Sequence, residues 1–351
     1  MHECTCTDAS FALNTDDMMK LVCAPMATIS HQAFRWCVEQ FQGCDEFFGE
    51  MINAGTLVSG GPFERYYLQN DIEPQKTVWQ LTGNNASTIA QAAAIVARQG
   101  GIGVDINMGC SAPQVVRTGA GVAWMARPLS EVAECARKTR EALDGVEQQV
   151  GRSLRLSVKC RLGGEGYTQQ SLFAFADALI SGGVTLITLH PRTQKERYRG
   201  LPRYDVAQAL AVHCKGRAAV YVNGCIRDGE TAEQVAAACP SAAGLMIARG
   251  AAERPWVFAQ IKRARQGEGV REAIRVDRLA VALGFIDALE RWQPREFHKT
   301  RIQRFFGYYC SQFFFAHYFR TRMQNFTSLA ASRDELLSYF EKQPHERIIE
   351  I

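Results

Sequence analysis

The stretch Asp105-Ile-Asn-Met-Gly-Cys-Ser-Ala-Pro113, with Gly119-Ala-Gly121 shortly after it, decides the reading of the whole chain. Residues Gly103 to Asn107 predict a short buried strand, and the next few a loop that presents the thiol of Cys110. The glycines at 119 and 121 then break the entry into the following helix. A cysteine at the carboxyl end of a strand stands where α/β barrels place reacting groups. A structural cysteine lies more often within a strand or helix, so its position favours chemistry. One thiol in a glycine-containing loop is still a weak signal, and the neighbouring strands must carry the argument.

Apolar runs of strand length alternate along the chain with amphipathic runs of helix length. Strands are predicted at Lys20–Ala24, Glu46–Ile52, Thr77–Leu81, Gly103–Asn107, Leu154–Arg161, Thr185–His190, Ala218–Asn223 and Gly244–Ala248. Helices are predicted at Gln32–Gln42, Ser87–Gln99, Leu129–Leu143, Gln169–Ser181, Asp205–His213 and Gly229–Cys239. Eight strands, each followed by a helix or long connection, suit an α/β fold closed into a (β/α)8 TIM barrel better than an open sheet. Short continuous apolar runs fit parallel strands covered on both faces. A helix from Arg254 to about Gln266 ends the barrel, and Gly267-Glu-Gly269 marks a linker. Beyond it Val276–Arg291, Pro294–Tyr318 and Arg333–Glu341 predict three helices and no strand. The chain thus divides into a loose extension over 1–16, a catalytic barrel over 17–266 and a small all-α domain over 270–345.

A chain of 351 residues with 47% hydrophobic content can bury a sizeable core. No apolar run reaches the roughly 18 residues that span a bilayer, and Met1–Asp16 lacks the features of a secretory signal. The twelve cysteines are scattered, several of them (Cys23, Cys37, Cys135, Cys160) in apolar segments, and no Cys-x-x-Cys occurs. That pattern points to reduced thiols in the cytoplasm, with neither a disulfide framework nor a metal site. The net charge of +4 is uneven: from Trp256 onward 16 Lys and Arg face 11 Asp and Glu, against 24 and 25 before it. Between Arg291 and Asn325 seven basic residues accompany one acid, Glu296. Such a run is commonly a solvated helix face, and it is also the footprint of a polyanionic partner.

The strand ends are unusually polar. They offer Ala24-Pro25-Met26, Glu50-Met51, Gln80, Asn107 with Cys110, Lys159-Cys-Arg161, His190-Pro-Arg-Thr193, Asn223-Gly224 and Ala248-Arg249-Gly250. Two amides, a thiol, a lysine, a histidine and a further amide on different strands describe a convergent ligand site. Asn223-Gly224 and Arg249-Gly250 follow strands seven and eight, where barrels commonly hold a phosphate. Small residues there admit backbone N–H groups, and Arg249 adds a charged fork.

Taken together, Ala24-Pro-Met26, Gln80-Leu-Thr-Gly83, Asp105-Ile-Asn-Met-Gly-Cys110, Gly119-Ala-Gly121, Val158-Lys-Cys-Arg-Leu-Gly163, His190-Pro-Arg-Thr193, Tyr221-Val-Asn-Gly224 and Ile247-Ala-Arg-Gly250 resemble the motif set of the tRNA-dihydrouridine synthases. They occur in that family's order across Leu21 to Ile261, and the C-terminal helices resemble its tRNA-binding module. The resemblance implies an FMN enzyme that reduces a uridine C5–C6 bond in tRNA, with NADPH (or NADH) as electron donor. By the same resemblance Gln80 bonds the isoalloxazine edge, Lys159 stands near N1/O2, and Pro25 and Met26 pack beside the ring. His190, Asn223, Gly224, Arg249 and Gly250 hold the ribityl-phosphate end, while Asn107 and Arg161 orient the uracil. The family has Pro where this chain has Ser111, and a basic residue where it has Gln114.

The implied reaction explains the thiol. Hydride delivery to C6 leaves C5 in need of a proton, and a thiol of ordinary pKa, about 8.5, is mostly protonated at neutral pH. Cys110 is therefore the expected general acid. A uracil within folded tRNA must be drawn out to reach it, which calls for a surface that grips phosphates. On a helix from Arg295, Phe297, Arg301, Arg304 and Tyr308 share one side, and Ile302, Phe305, Phe306, Tyr309 and Phe313 the other. Arg301 and Arg304 are the expected tRNA contacts, and neither DNA nor membrane is an expected partner. The alternatives are an FMN barrel reductase of a free pyrimidine or enone, and a flavin-bound tRNA-binding protein without activity.

Overall fold

The computed structural model describes residues 19–164, 166–266 and 273–351. The expected extension over 1–16 and the linker Gly267-Glu-Gly269 lie outside the described residues.

Short apolar strands and helices alternate as their hydrophobic periods dictate. β1 (Lys20–Cys23) leads to α1 (Gln32–Glu39), followed by β2 (Glu46–Phe48), β3 (Ile52–Asn53) and the short helices α2 (Ala54–Val58) and α3 (Glu64–Tyr67). Then come β4 (Thr77–Thr82), α4 (Ala86–Arg98), β5 (Gly103–Met108), α5 (Pro113–Val116), α6 (Leu129–Val150), β6 (Arg155–Cys160), α7 (Gln169–Ser181) and β7 (Leu186–Leu189). The barrel portion ends with α8 (Tyr204–Cys214), β8 (Ala219–Asn223), α9 (Gly229–Ala238), β9 (Gly244–Ile247), α10 (Arg249–Glu253) and α11 (Val257–Arg265). All these strands pair in parallel, in the order β2-β1-β9-β8-β7-β6-β5-β4-β3. A β2–β4 pairing closes the ring, so the sheet is a TIM barrel.

The second barrel strand differs from the expected continuous Glu46–Ile52. Phe48 aligns with Val78 and Ile52 with Leu81, so four steps on one strand face three on the other. The extra residue is a bulge at Gly49-Glu-Met51, which splits the strand into β2 and β3 and re-aims Glu50. Glu46, below the bulge, belongs to the barrel floor. It accepts two bonds from Arg155 and one each from Lys20 and the Tyr221 hydroxyl, at the amino ends of the strands and away from their carboxyl ends.

Inside the barrel, alternate residues form layers. Val22, Phe48, Val78, Leu186 and Tyr221 belong to an apolar cluster within the barrel. In the register, Gln80, Asp105 and Ser157 stand side by side, and Asn107 stands beside Lys159 one layer nearer the carboxyl ends. The interior therefore becomes polar as it approaches the mouth, which is where a ligand site belongs.

After the barrel come β10 (Arg275–Asp277), α12 (Arg278–Trp292), α13 (Arg295–Tyr309), α14 (Ala316–Gln324), α15 (Leu329–Lys342) and β11 (Ile348–Glu350). β10 and β11 form an antiparallel ribbon where only helices were expected. Three residues per strand are too few for an alternation to show in sequence. The expected helix Pro294–Tyr318 is two, broken by a 3-10 turn at Cys310–Gln312. The helices share their core with the barrel. Phe305 stacks on Phe285 at 3.9 Å and meets Phe34 of α1 edge-on at 6.2 Å, and Trp36 meets Trp292 at 6.3 Å. This packing carries α13 over one side of the barrel mouth.

Candidate functional site

At the carboxyl ends of the strands lies a cleft of about 580 Å³, within the range of cofactor sites. Pro25, Met26, Gln80, Asn107, Cys110, Lys159, Arg161, His190, Asn223 and Arg249 all line it, each from its expected strand end. Gly224 and Gly250 line a smaller annex that shares His190, Asn223 and Arg249 with the cleft. From α13, Arg304 and Tyr308 complete the wall, so barrel and helices share one opening.

The thiol loop is held at three successive peptide groups. The Asn107 side-chain oxygen accepts from the N–H groups of Gly109 (3.2 Å) and Cys110 (2.9 Å). The Arg161 Nε donates to the Gly109 carbonyl at 3.1 Å, and the Val122 N–H to the Cys110 carbonyl at 3.0 Å. None of these four bonds passes through Ser111, so the anchoring does not rest on a proline there. Gly121 makes the last one geometrically possible. Its φ is +62°, and a Cβ on it would lie 2.5 Å from the Cys110 carbonyl oxygen.

The site is strongly cationic. Lys159, Arg161, Arg197, Arg249 and Arg304 line the cleft, and among the described lining residues there is no carboxylate. Burial, then the neighbouring Arg161 charge, pushes Lys159 down to about 8, against the pull of Asp105. His190 is pushed down to about 2 by burial and by Lys159, Arg161, Arg192 and Arg249, so its ring is neutral at any working pH. The Arg192 Nη1 donates to His190 Nε2 at 3.1 Å, which leaves the ring proton on Nδ1. Gly224 has φ +138°, and a Cβ there would crowd Pro202 and the His190 ring at 3.1 and 3.2 Å. Cations around a small glycine-walled annex fit a phosphate, and the wider cleft beside Lys159 fits a planar, electron-accepting ring. The residues present thus suit a flavin mononucleotide.

One expected residue is misplaced. Arg301 is 2% exposed and ion-paired at 2.7 Å with Glu50, itself 5% exposed. Its side of α13 docks on the barrel: Phe297 meets Phe63 at 5.3 Å and Tyr67 at 6.0 Å, and Arg301 lies over the Phe297 ring. Arg301 is therefore removed from the protein surface, whereas Arg304 is exposed. Sequence reading also missed Tyr198, 62% exposed, whose ring lies beneath Arg249 at 4.7 Å and Arg161 at 5.7 Å. A tyrosine amid the basic residues of the loop after β7 was its only signal.

Residues 22–343 match the family model described as dihydrouridine synthase. The chain belongs to this family. A "Probable tRNA-dihydrouridine synthase" of Rhodobacter capsulatus is 34% identical over 247 residues, 70% of this chain and 71% of its own length. Another dihydrouridine synthase so described, from Aquifex aeolicus, is 30% identical over 260 residues, covering 72% and 76%. The human "tRNA-dihydrouridine(47) synthase [NAD(P)(+)]-like" is 29% identical over 274 residues, 78% of this chain and 39% of the human one. Among the described residues no helix is long and apolar enough to cross a membrane.

Proposed function

We propose that this chain is a cytoplasmic enzyme that reduces a uridine C5–C6 bond in tRNA to dihydrouridine, with FMN bound in the cleft and NADPH or NADH as electron source. The observation that carries the reading is the shared opening, where Cys110 and Lys159 of the barrel meet Arg304 and Tyr308 of α13. The bound flavin supplies hydride for uracil C6. Cys110 donates the proton that C5 then requires, and Asn107 and Arg161 keep the thiol loop at its post. His190, Asn223, Gly224, Arg249 and Gly250 hold the phosphate end; Gln80, Lys159, Pro25 and Met26 border the ring. Arg304 meets a tRNA phosphate, and Tyr308 offers a face to an extruded base.

Purified protein should be yellow and should form dihydrouridine in unmodified tRNA transcripts far faster than in free uridine, measured by mass spectrometry of nucleosides. Equal efficiency on both substrates would sink the tRNA reading. Arg304→Ala is expected to weaken tRNA binding and to lower the slope of log affinity against log salt by about one, with flavin retained. An unchanged salt slope would remove Arg304 from the interface.

Gly121→Ala tests the thiol loop. The strained φ and the close carbonyl should cost about 1–3 kcal/mol of stability. Dihydrouridine formation should fall roughly 10-fold or more, because the carbonyl that must move belongs to Cys110. Denaturation midpoints and turnover both at the parent level would show that the loop tolerates the change.

A further inference from the structure

Asp105 is fully buried, and it does not line the cleft. Its carboxylate accepts from the Gln80 side-chain amide at 2.7 Å and from the Ser157 hydroxyl at 2.7 Å. The Gln80 side-chain oxygen accepts from the Asn107 amide at 2.9 Å. The Asn107 oxygen, in turn, takes the N–H groups of Gly109 and Cys110. Each group in this chain has one polarity only, set by the group before it. An ionised carboxylate can only accept, so Gln80 must turn its NH2 toward Asp105 and its oxygen toward Asn107. Asn107 must then turn its NH2 to Gln80 and its oxygen to the thiol loop. Reversing Gln80 would face two NH2 groups, and reversing Asn107 to relieve them would aim donors at the N–H of Cys110.

We propose that Asp105 is a positioning residue for proton delivery: its buried carboxylate fixes the orientation of the Gln80 and Asn107 amides, and through them the backbone that carries the Cys110 thiol. The inference rests on Cys110 as the proton donor. A purely structural carboxylate would be expected to stabilise the fold, and here burial does the opposite. It raises the carboxyl to about 6, over the lowering effects of Gln80, Ser157, Lys159 and Arg155. With the folded value above the unfolded one, the group favours the folded state fully only below the unfolded pKa. That contribution is lost as pH rises toward 6. Above pH 6 the fold bears a buried charge that a neutral side chain would spare it. Activity and stability are thus set against each other at this position, which makes the two roles separable.

Asp105→Leu removes the acceptor and leaves the Gln80 amide without a fixed direction. Asp105→Asn can still offer its carbonyl to Gln80 while Ser157 accepts from its NH2, but the reverse arrangement is now also open. At pH 7.5 both variants should keep flavin, and Asp105→Asn, which leaves both Gln80 and Ser157 with a partner, should melt no lower than the parent. Turnover of tRNA uridine should fall roughly 100-fold for Asp105→Leu and about 10-fold for Asp105→Asn, with KM for tRNA unchanged. Alkylation of Cys110 by iodoacetamide, followed by peptide mass spectrometry, should speed up in the same order. Turnover of Asp105→Leu within about twofold of the parent overturns the proposal, as does a colourless or lower-melting Asp105→Asn. Wild-type turnover in Cys110→Ala would instead overturn the proton-donor reading beneath it, a result distinguishable because it involves no change at Asp105.

Discussion

Replacing Cys110 by alanine is expected to lower the rate of dihydrouridine formation by roughly 100- to 10,000-fold, the usual worth of a positioned general acid. The protein should remain yellow and bind tRNA as before. The thiol is half-buried at the cleft wall, and it is the backbone of Cys110 that the loop's hydrogen bonds hold. Removing the sulfur therefore leaves the loop, the annex around His190 and the α13 surface in place. On the proposed reaction, what is lost is the proton for C5, which water must then supply without positioning. Cys110→Ser separates geometry from acidity. It restores a group of nearly the same shape with a far weaker acid, so its turnover should lie much nearer to alanine than to cysteine. Single-turnover measurement with pre-reduced protein and a tRNA transcript isolates this step from cofactor reduction. Turnover of Cys110→Ala within about threefold of the parent would exclude the thiol as the donor.

The barrel was legible because eight apolar runs of strand length, separated by helices, leave few ways to bury them. The convergence of the polar residues was legible for the same reason: once strand ends are known, the residues just beyond them must line one cleft. Lys159 and His190 needed no more than their place in that order. Three features escaped for physical reasons. An inserted residue leaves the apolar run Glu46–Ile52 intact, so the bulge that turns Glu50 out of the strand is invisible without the partner β4. Ribbon β10–β11 is held by backbone bonds between residues about seventy apart, which no local pattern records. The helical projection of α13 correctly set Ile302 and Phe305 against the core, but a projection knows only one burial partner. This helix has two, and the side taken for solvent is partly covered by α3 and the bulge. The case of Asp105 is different again. Its residue type was plain, and its importance lies in which way two amides point, a property of hydrogen-bond partners rather than of sequence.

That second covered side leads to the other large effect. Arg301→Met should destabilise the protein by about 3–5 kcal/mol, the cost of stranding a buried charge. The stranded group is Glu50, 5% exposed, whose one oxygen meets Arg301 at 2.7 Å and whose other accepts from the Thr28 N–H at 2.7 Å. These contacts join the bulge, the loop after β1 and α13, so the loss should fall on the seam between barrel and helices. Glu50→Gln in the same background removes the charge that has lost its ion-pair partner, leaving only the more distant attraction of the buried Arg35 unmatched, while keeping an acceptor for Thr28. The double variant should therefore regain most of what Arg301→Met loses, although each change removes one end of the ion pair. Chemical denaturation of the parent, both single variants and the double variant gives the coupling directly. Arg301→Met should also leave the salt slope of tRNA binding at the parent value under conditions where it remains folded, in contrast to Arg304→Ala. A single variant within about 1 kcal/mol of the parent, combined with a lowered salt slope, would return Arg301 to the tRNA surface.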